Sequence, residues 1–87
     1  MDDTWKLQAR CRGMDTNIFI AEIEPPRSAA FEVYAEALRV CHQCSVRAEC
    51  LTDAVIMGEQ LGVRGGSLHW DRSDLRRAWR KTGKVPI

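Results

Sequence analysis

The spacing Cys11-x29-Cys41-x2-Cys44-x5-Cys50 constrains this chain more than any other feature. At 87 residues there is room for one small core, and so short a chain gains from a covalent or metal staple. The chain opens on the acidic Met1-Asp2-Asp3, and no apolar segment of signal-peptide type follows. The longest uninterrupted apolar runs, Ile18–Ala21 and Ala54–Met57, have four residues each, too few for a membrane span. A soluble, cytoplasmic protein without membrane contact is therefore expected. Thiols stay reduced in that compartment, so four cysteines read as metal or redox ligands rather than disulfides.

Three chemistries compete for them. Structural zinc accepts four cysteines, but the common ribbon supplies two close pairs and this chain has one, Cys41 and Cys44. A zinc-stapled interaction module stays open on that basis. A dithiol–disulfide reductase would use Cys41-His42-Gln43-Cys44, yet the βαβ scaffold that carries such a motif has no counterpart here. An iron–sulfur cluster tolerates uneven spacing, because its irons are spread over several corners. The spacing favours the cluster over zinc.

The rest of the chain reads as helical. Thr4 caps a short helix toward Arg10, and residues 12–27 form an irregular connection containing the unexpectedly apolar Ile18, Phe19 and Ile20. A second helix begins near Ser28, with Phe31, Tyr34, Leu38 and Cys41 on one inward face. The third runs from Val46 to Met57, with Cys50, Ala54 and Met57 on one face and Gly58 as its stop. Cys44 and Cys50 bracket its start, where unpaired N–H groups and the positive dipole end favour anionic sulfur. Gly62-Val63-Arg64-Gly65-Gly66 makes a tight turn. A fourth helix spans Asp71 to Lys81 with Leu75, Ala78 and Trp79 inward, and residues 84–87 form a frayed tail. No strand-like alternation is present. The expected class is all-α, a small bundle of about four short helices in a single domain over residues 1–87.

Charge divides that domain. Residues 1–66 carry a balance of −3, whereas residues 67–87 carry +4 from Arg72, Arg76, Arg77, Arg80, Lys81 and Lys84 against Asp71 and Asp74. A body over 5–66 and a basic helix and tail over 67–87 suggest two kinds of partner. Those six basic residues form one face suited to DNA phosphates, with little to read bases. No nucleophile–base set, phosphate loop or acid pair is evident, so enzyme activity is not expected.

Cys11, the gap to Cys41-x2-Cys44, the x5 step to Cys50 and the turn Gly62-Val63-Arg64-Gly65-Gly66 together resemble the WhiB-like (Wbl) family of actinobacteria and their phages. Trp5, six residues before Cys11, and Asp15 followed by Ile18-Phe19-Ile20 extend the likeness, which covers about residues 5–80. The resemblance implies a [4Fe-4S] cluster on Cys11, Cys41, Cys44 and Cys50, a helical fold and a role in transcription. It also implies sensing of nitric oxide and oxygen, and binding to the C-terminal domain (region 4) of the primary sigma factor as one half of a heterodimer. Trp5, Phe19 and the turn of Gly62, Val63, Arg64, Gly65 and Gly66 are the sigma-binding residues that it points to. One departure stands out. The family turn usually carries Trp where this chain has Arg64, and Trp70 is the aromatic residue nearest at hand to replace it.

Overall fold

A computed structural model describes residues 4–86. Three 3-10 turns, Thr4–Gln8, Thr16–Ile18 and Arg27–Ala29, precede four α-helices: α1 Ala30–Val33, α2 Ala35–His42, α3 Arg47–Met57 and α4 His69–Thr82. Among the described residues the only ladder pairing is an isolated antiparallel bridge between Arg64 and Ser67. The all-α expectation holds. Met1, Asp2 and Asp3, and Ile87 of the expected tail, lie outside the described residues.

The first helix is tighter and shorter than expected. Ala9 N–H donates to Lys6 O, Arg12 N–H to Ala9 O and Met14 N–H to Cys11 O, so the segment advances by three-residue turns. Leu7 is exposed, and with only Trp5 and Ala9 half-buried there is no apolar stripe to hold a longer α-helix.

The second expected helix is broken at Tyr34, whose φ of −101° and ψ of 16° separate α1 from α2. Its inward face also differs from the expected one. Ala30, Tyr34 and Ala37 are buried while Phe31 is 64% exposed, so the face is widened toward the alanines and loses Phe31, with Leu38 and Cys41 still packed against the core. Two alanines let the backbone come close, and Tyr34 fills the space between them. The Tyr34 hydroxyl donates to Glu24 Oε2 at 2.7 Å and accepts from Ala21 N at 3.2 Å. Burial, with Glu24 adding to it, raises its pKa. That bond pins the irregular connection, whose Ile18 and Phe19 pack against the core of Ala30, Tyr34, Ala37, Val63 and Leu68. Two of the three puzzling apolar residues are thereby explained, while Ile20 is exposed.

On α3, Ala54 and Val55 are buried, but Met57, expected on the face of Cys50, is 69% exposed. Gly58 closes the helix with φ 74°, and Glu59 N–H reaches back to Ala54 O at 3.0 Å, a glycine-type stop. The turn that follows needs its glycines for space as well as angle. A Cβ on Gly65 (φ +57°) would lie 2.6 Å from Leu51 N, so this turn rests directly on the α3 backbone.

Helix α4 starts two residues earlier than expected because Asp71 Oδ2 accepts from Leu68 N at 3.2 Å. Gly83 N–H, at φ 77°, ends it on Trp79 O. Leu75, Ala78 and Trp79 are half-buried, as the periodicity implies, and α4 packs on α3.

Candidate metal centre

The four cysteines come from four places in the fold. Cys11 lies in the turn after the first 3-10 segment, Cys41 in the last turn of α2, Cys44 in the α2–α3 junction and Cys50 in the first turn of α3. A reverse turn, Cys44 N–H to Cys41 O at 3.1 Å, brings the close pair together. All four thiols are free. They line one small cavity together with Ala9, Val40, Arg47 and Gly65. Beside it opens a hollow of about 220 Å³ lined by Cys11, Cys41 and Cys50 with Met14, Phe19, Ile20, Val63 and Arg64.

Hydrogen-bond donors converge on these sulfurs. Arg10 N–H points to Cys44 Sγ at 3.4 Å, and Arg64 Nε to Cys50 Sγ at 3.2 Å. Burial raises the pKa of Cys41, a Gly66 backbone hydrogen bond pulls it down, and Cys50, Cys11 and Cys44 push it up. Cys11 is raised in the same way, first by burial of its thiol and then by Cys50. Burial and mutual repulsion thus disfavour ionising Cys11 and Cys41, which a bound cation would offset. The donor set suits a sulfur-ligated metal group. Among the described residues no three His, Cys, Asp or Glu side chains converge closely enough to hold one metal ion.

The residues expected at a protein interface sit deeper than the sequence suggests. Gly62, Val63 and Gly65 are buried, and Val63 belongs to the core. They shape the turn and present no side chain outward. Trp5 is half-buried with an indole N–H that finds no partner, and Phe19 packs on the core. Arg64 turns inward to Cys50, Asp53 and Glu59. Trp70 carries the Arg27 guanidinium 4.7 Å over its ring and meets Phe31 edge-on at 6.3 Å.

The basic face is smaller than expected. Arg72 is 2% exposed and its guanidinium donates to the carbonyls of Glu59, Leu61, Gly62 and Ser67, so it cannot meet phosphate. Arg76 is half-buried and its Nη1 donates to Val55 O and Ile56 O, capping the end of α3. Arg80, Lys81 and Lys84 are exposed, and the Arg77 side chain reaches solvent at 70% exposure. Gln60, Ser73, Arg76, Arg77, Arg80 and Lys81 line an open groove of about 450 Å³ beside α4.

Sequence reasoning missed Arg47, Asp53 and Glu59. Arg47 Nε donates to Gly65 O at 3.1 Å and its Nη1 lies 3.0 Å from His42 Nδ1, which ties the glycine turn to the end of α2. Asp53 stands three residues after Cys50 and so shares its helix face, a spacing signal present in the sequence.

Comparison with known proteins gives a coherent picture. The family model described as "Transcription factor WhiB" matches residues 5–75. Transcriptional regulator WhiD of Streptomyces coelicolor is 39% identical over 72 residues, covering 82% of this chain and 63% of that protein. The redox- and pH-responsive transcriptional regulator WhiB3 of Mycobacterium tuberculosis is 36% identical over 62 residues, 71% of this chain and 61% of its own length. Transcriptional regulator WhiB1 of the same species is 35% identical over 75 residues, 84% of each chain. The chain thus spans less than two thirds of the first two relatives.

Proposed function

The chain belongs to the WhiB family of transcription factors, and from that premise we propose that it is an iron–sulfur transcriptional regulator acting with the primary sigma factor. Cys11, Cys41, Cys44 and Cys50 hold a [4Fe-4S] cluster. The observation that carries this reading is four free thiols lining one cavity with N–H donors aimed at their sulfurs. When bound, such a cluster supplies one-electron chemistry and a point of attack for nitric oxide and oxygen.

The chain's own residues do the rest. The backbone turn at Cys41–Cys44 and the start of α3 orient three thiolates, and Cys11 ties the N-terminal segment onto them. Loss of that tie is the proposed switch, a local change of charge and packing with a wider readout. The surface around Trp5, Phe19 and Arg64 is the proposed docking face for sigma region 4 in a heterodimer. Arg77, Arg80, Lys81 and Lys84, on and after α4, are the proposed phosphate contacts, with sequence choice supplied by the partner. No catalytic role is proposed. The protein acts in the cytoplasm, where this machinery resides.

Protein made and purified without oxygen, with sigma region 4 co-expressed, is expected to be brown. It should contain iron and acid-labile sulfide in equal amounts and should elute with the sigma domain. A colourless, folded protein with stoichiometric zinc sinks the cluster. A brown protein that elutes alone sinks the sigma partnership only.

A further inference from the structure

The Arg64 side chain carries an inference that the family likeness does not supply. Its three guanidinium nitrogens each meet a different acceptor. Nε donates to Cys50 Sγ at 3.2 Å, Nη2 to Asp53 Oδ2 at 3.1 Å and Nη1 to Glu59 Oε1 at 3.2 Å. The backbone beneath is fixed as well, since Arg64 and Ser67 exchange both N–H···O bonds and the Ser67 hydroxyl donates to Arg64 O at 2.6 Å. The side chain is 25% exposed, so its charge is only partly screened by water. A guanidinium stays protonated at any accessible pH, so this charge is fixed.

We propose that Arg64 is a positioning residue for the metal centre, holding an N–H donor and a fixed positive charge against the Cys50 sulfur and so raising the centre's reduction potential. This rests on the cluster reading given above. Asp53 and Glu59 act on the guanidinium from its other edge, aiming Nε at sulfur. A donor to a ligating sulfur and a nearby positive charge both favour the electron-rich state of an iron–sulfur centre. The step concerned is a one-electron reduction from the 2+ to the 1+ state by an external low-potential donor such as dithionite. No bond to the protein forms or breaks, and Arg64 keeps its proton. Arginine suits the task because it stays charged and its planar fork can hold three acceptors at once, which lysine cannot do in the same geometry.

The test uses the full chain, purified anaerobically, with iron and sulfide measured first. Redox titration followed by electron paramagnetic resonance is then run on the wild type, Arg64→Gln and Arg64→Lys. Arg64→Gln removes the positive charge and leaves Asp53 and Glu59 uncompensated. At fixed potential the ratio of reduced to oxidised centres should fall at least tenfold, which is about 59 mV for one electron. Arg64→Lys keeps the charge without the fork and should fall between the two. An unchanged potential in an Arg64→Gln protein with normal iron and sulfide overturns the proposal. Should that variant fail to hold a cluster, the wild type labelled with arginine carrying ¹⁵N only in its guanidinium decides, since the Arg10 backbone N–H also points to a sulfur of the site. Its reduced centre should show a guanidinium nitrogen coupled to the cluster spin, and the absence of that coupling overturns the proposal. A wild type without iron and sulfide overturns the cluster reading itself, and this inference with it.

Discussion

Arg72 carries a full positive charge with 2% exposure, and its hydrogen bonds run to backbone carbonyls and one hydroxyl rather than to a carboxylate. Burial lowers its pKa, and the Arg64 charge adds to that. The compensating bonds are Nε to Glu59 O, Nη1 to Ser67 O at 2.6 Å and to Ser67 Oγ, and Nη2 to Leu61 O and to Gly62 O at 2.8 Å. These carbonyls belong to a connection between helices, where buried acceptors need partners from elsewhere in the chain. Arg72→Lys keeps the charge but cannot span the same acceptors. It is expected to cost at least ~2 kcal/mol in urea unfolding, since hydrogen bonds to charged groups contribute roughly 1.5–3 kcal/mol each. Arg77→Gln, at a solvent-facing side chain, should stay within about 0.5 kcal/mol. The sequence does not separate these two arginines. Arg72, Arg76 and Arg80 recur at helical spacing and read as one solvent face. Residue type and period say nothing of carbonyls brought near by a turn ten residues earlier in the chain. The inward course of Arg64 is hidden for the same reason, because its acceptors lie on and just after another helix.

At the scale of elements, the signals that worked were local. Gly58 stops α3 where expected, and α4 ends at Thr82, one residue past the expected Lys81. The signals that failed were choices between adjacent helix faces. Phe31 outranks Ala30 in hydrophobicity, yet close backbone approach favoured the alanine. Helix α4 presents a reduced basic face of Arg77, Arg80 and Lys81 beside its open groove. Converting those three to Gln should weaken DNA binding to a similar degree on any sequence. It should also flatten the dependence of log K on log salt by about 0.9 for each phosphate no longer neutralised. Binding measured at several salt concentrations checks this, and an unchanged slope would make the face a solvated surface only. Arg72 and Arg76 are kept in that variant because they hold the fold together.

Over the whole molecule, the buried core is thin. Among the described residues eight hydrophobic side chains are buried, and three of these are alanines. None belongs to residues 4–29, which hold on through Tyr34, the packing of Ile18 and Phe19, and the Phe19 O to Val63 N bond at 2.8 Å. Cys11 is therefore expected to matter for more than ligation. Cys11→Ser should lower iron content and helicity together, because ligation and folding are linked in small metal-bound domains. Parallel iron assay and far-ultraviolet circular dichroism check this, and normal values for both would remove Cys11 from the ligand set. The gathering of the four cysteines at one cavity and the all-helical class were legible from spacing and period, whereas the inward turn of Arg64 and Arg72 was not.

Exposure is shared unevenly among the four thiols: Cys11 is exposed, and the other three are half-buried. In the cluster-bound protein proposed above, dismantling would therefore have a direction. Chelators, oxidants and competing thiols reach the Cys11 corner first, so the earliest lesion is also the one that unhooks the N-terminal segment. Cys41, Cys44 and Cys50 would still be held by α2, the junction and α3 at that moment. On that reading a damaged molecule would be half-open, and repair would need the return of that length of chain together with replacement of the iron or electrons lost.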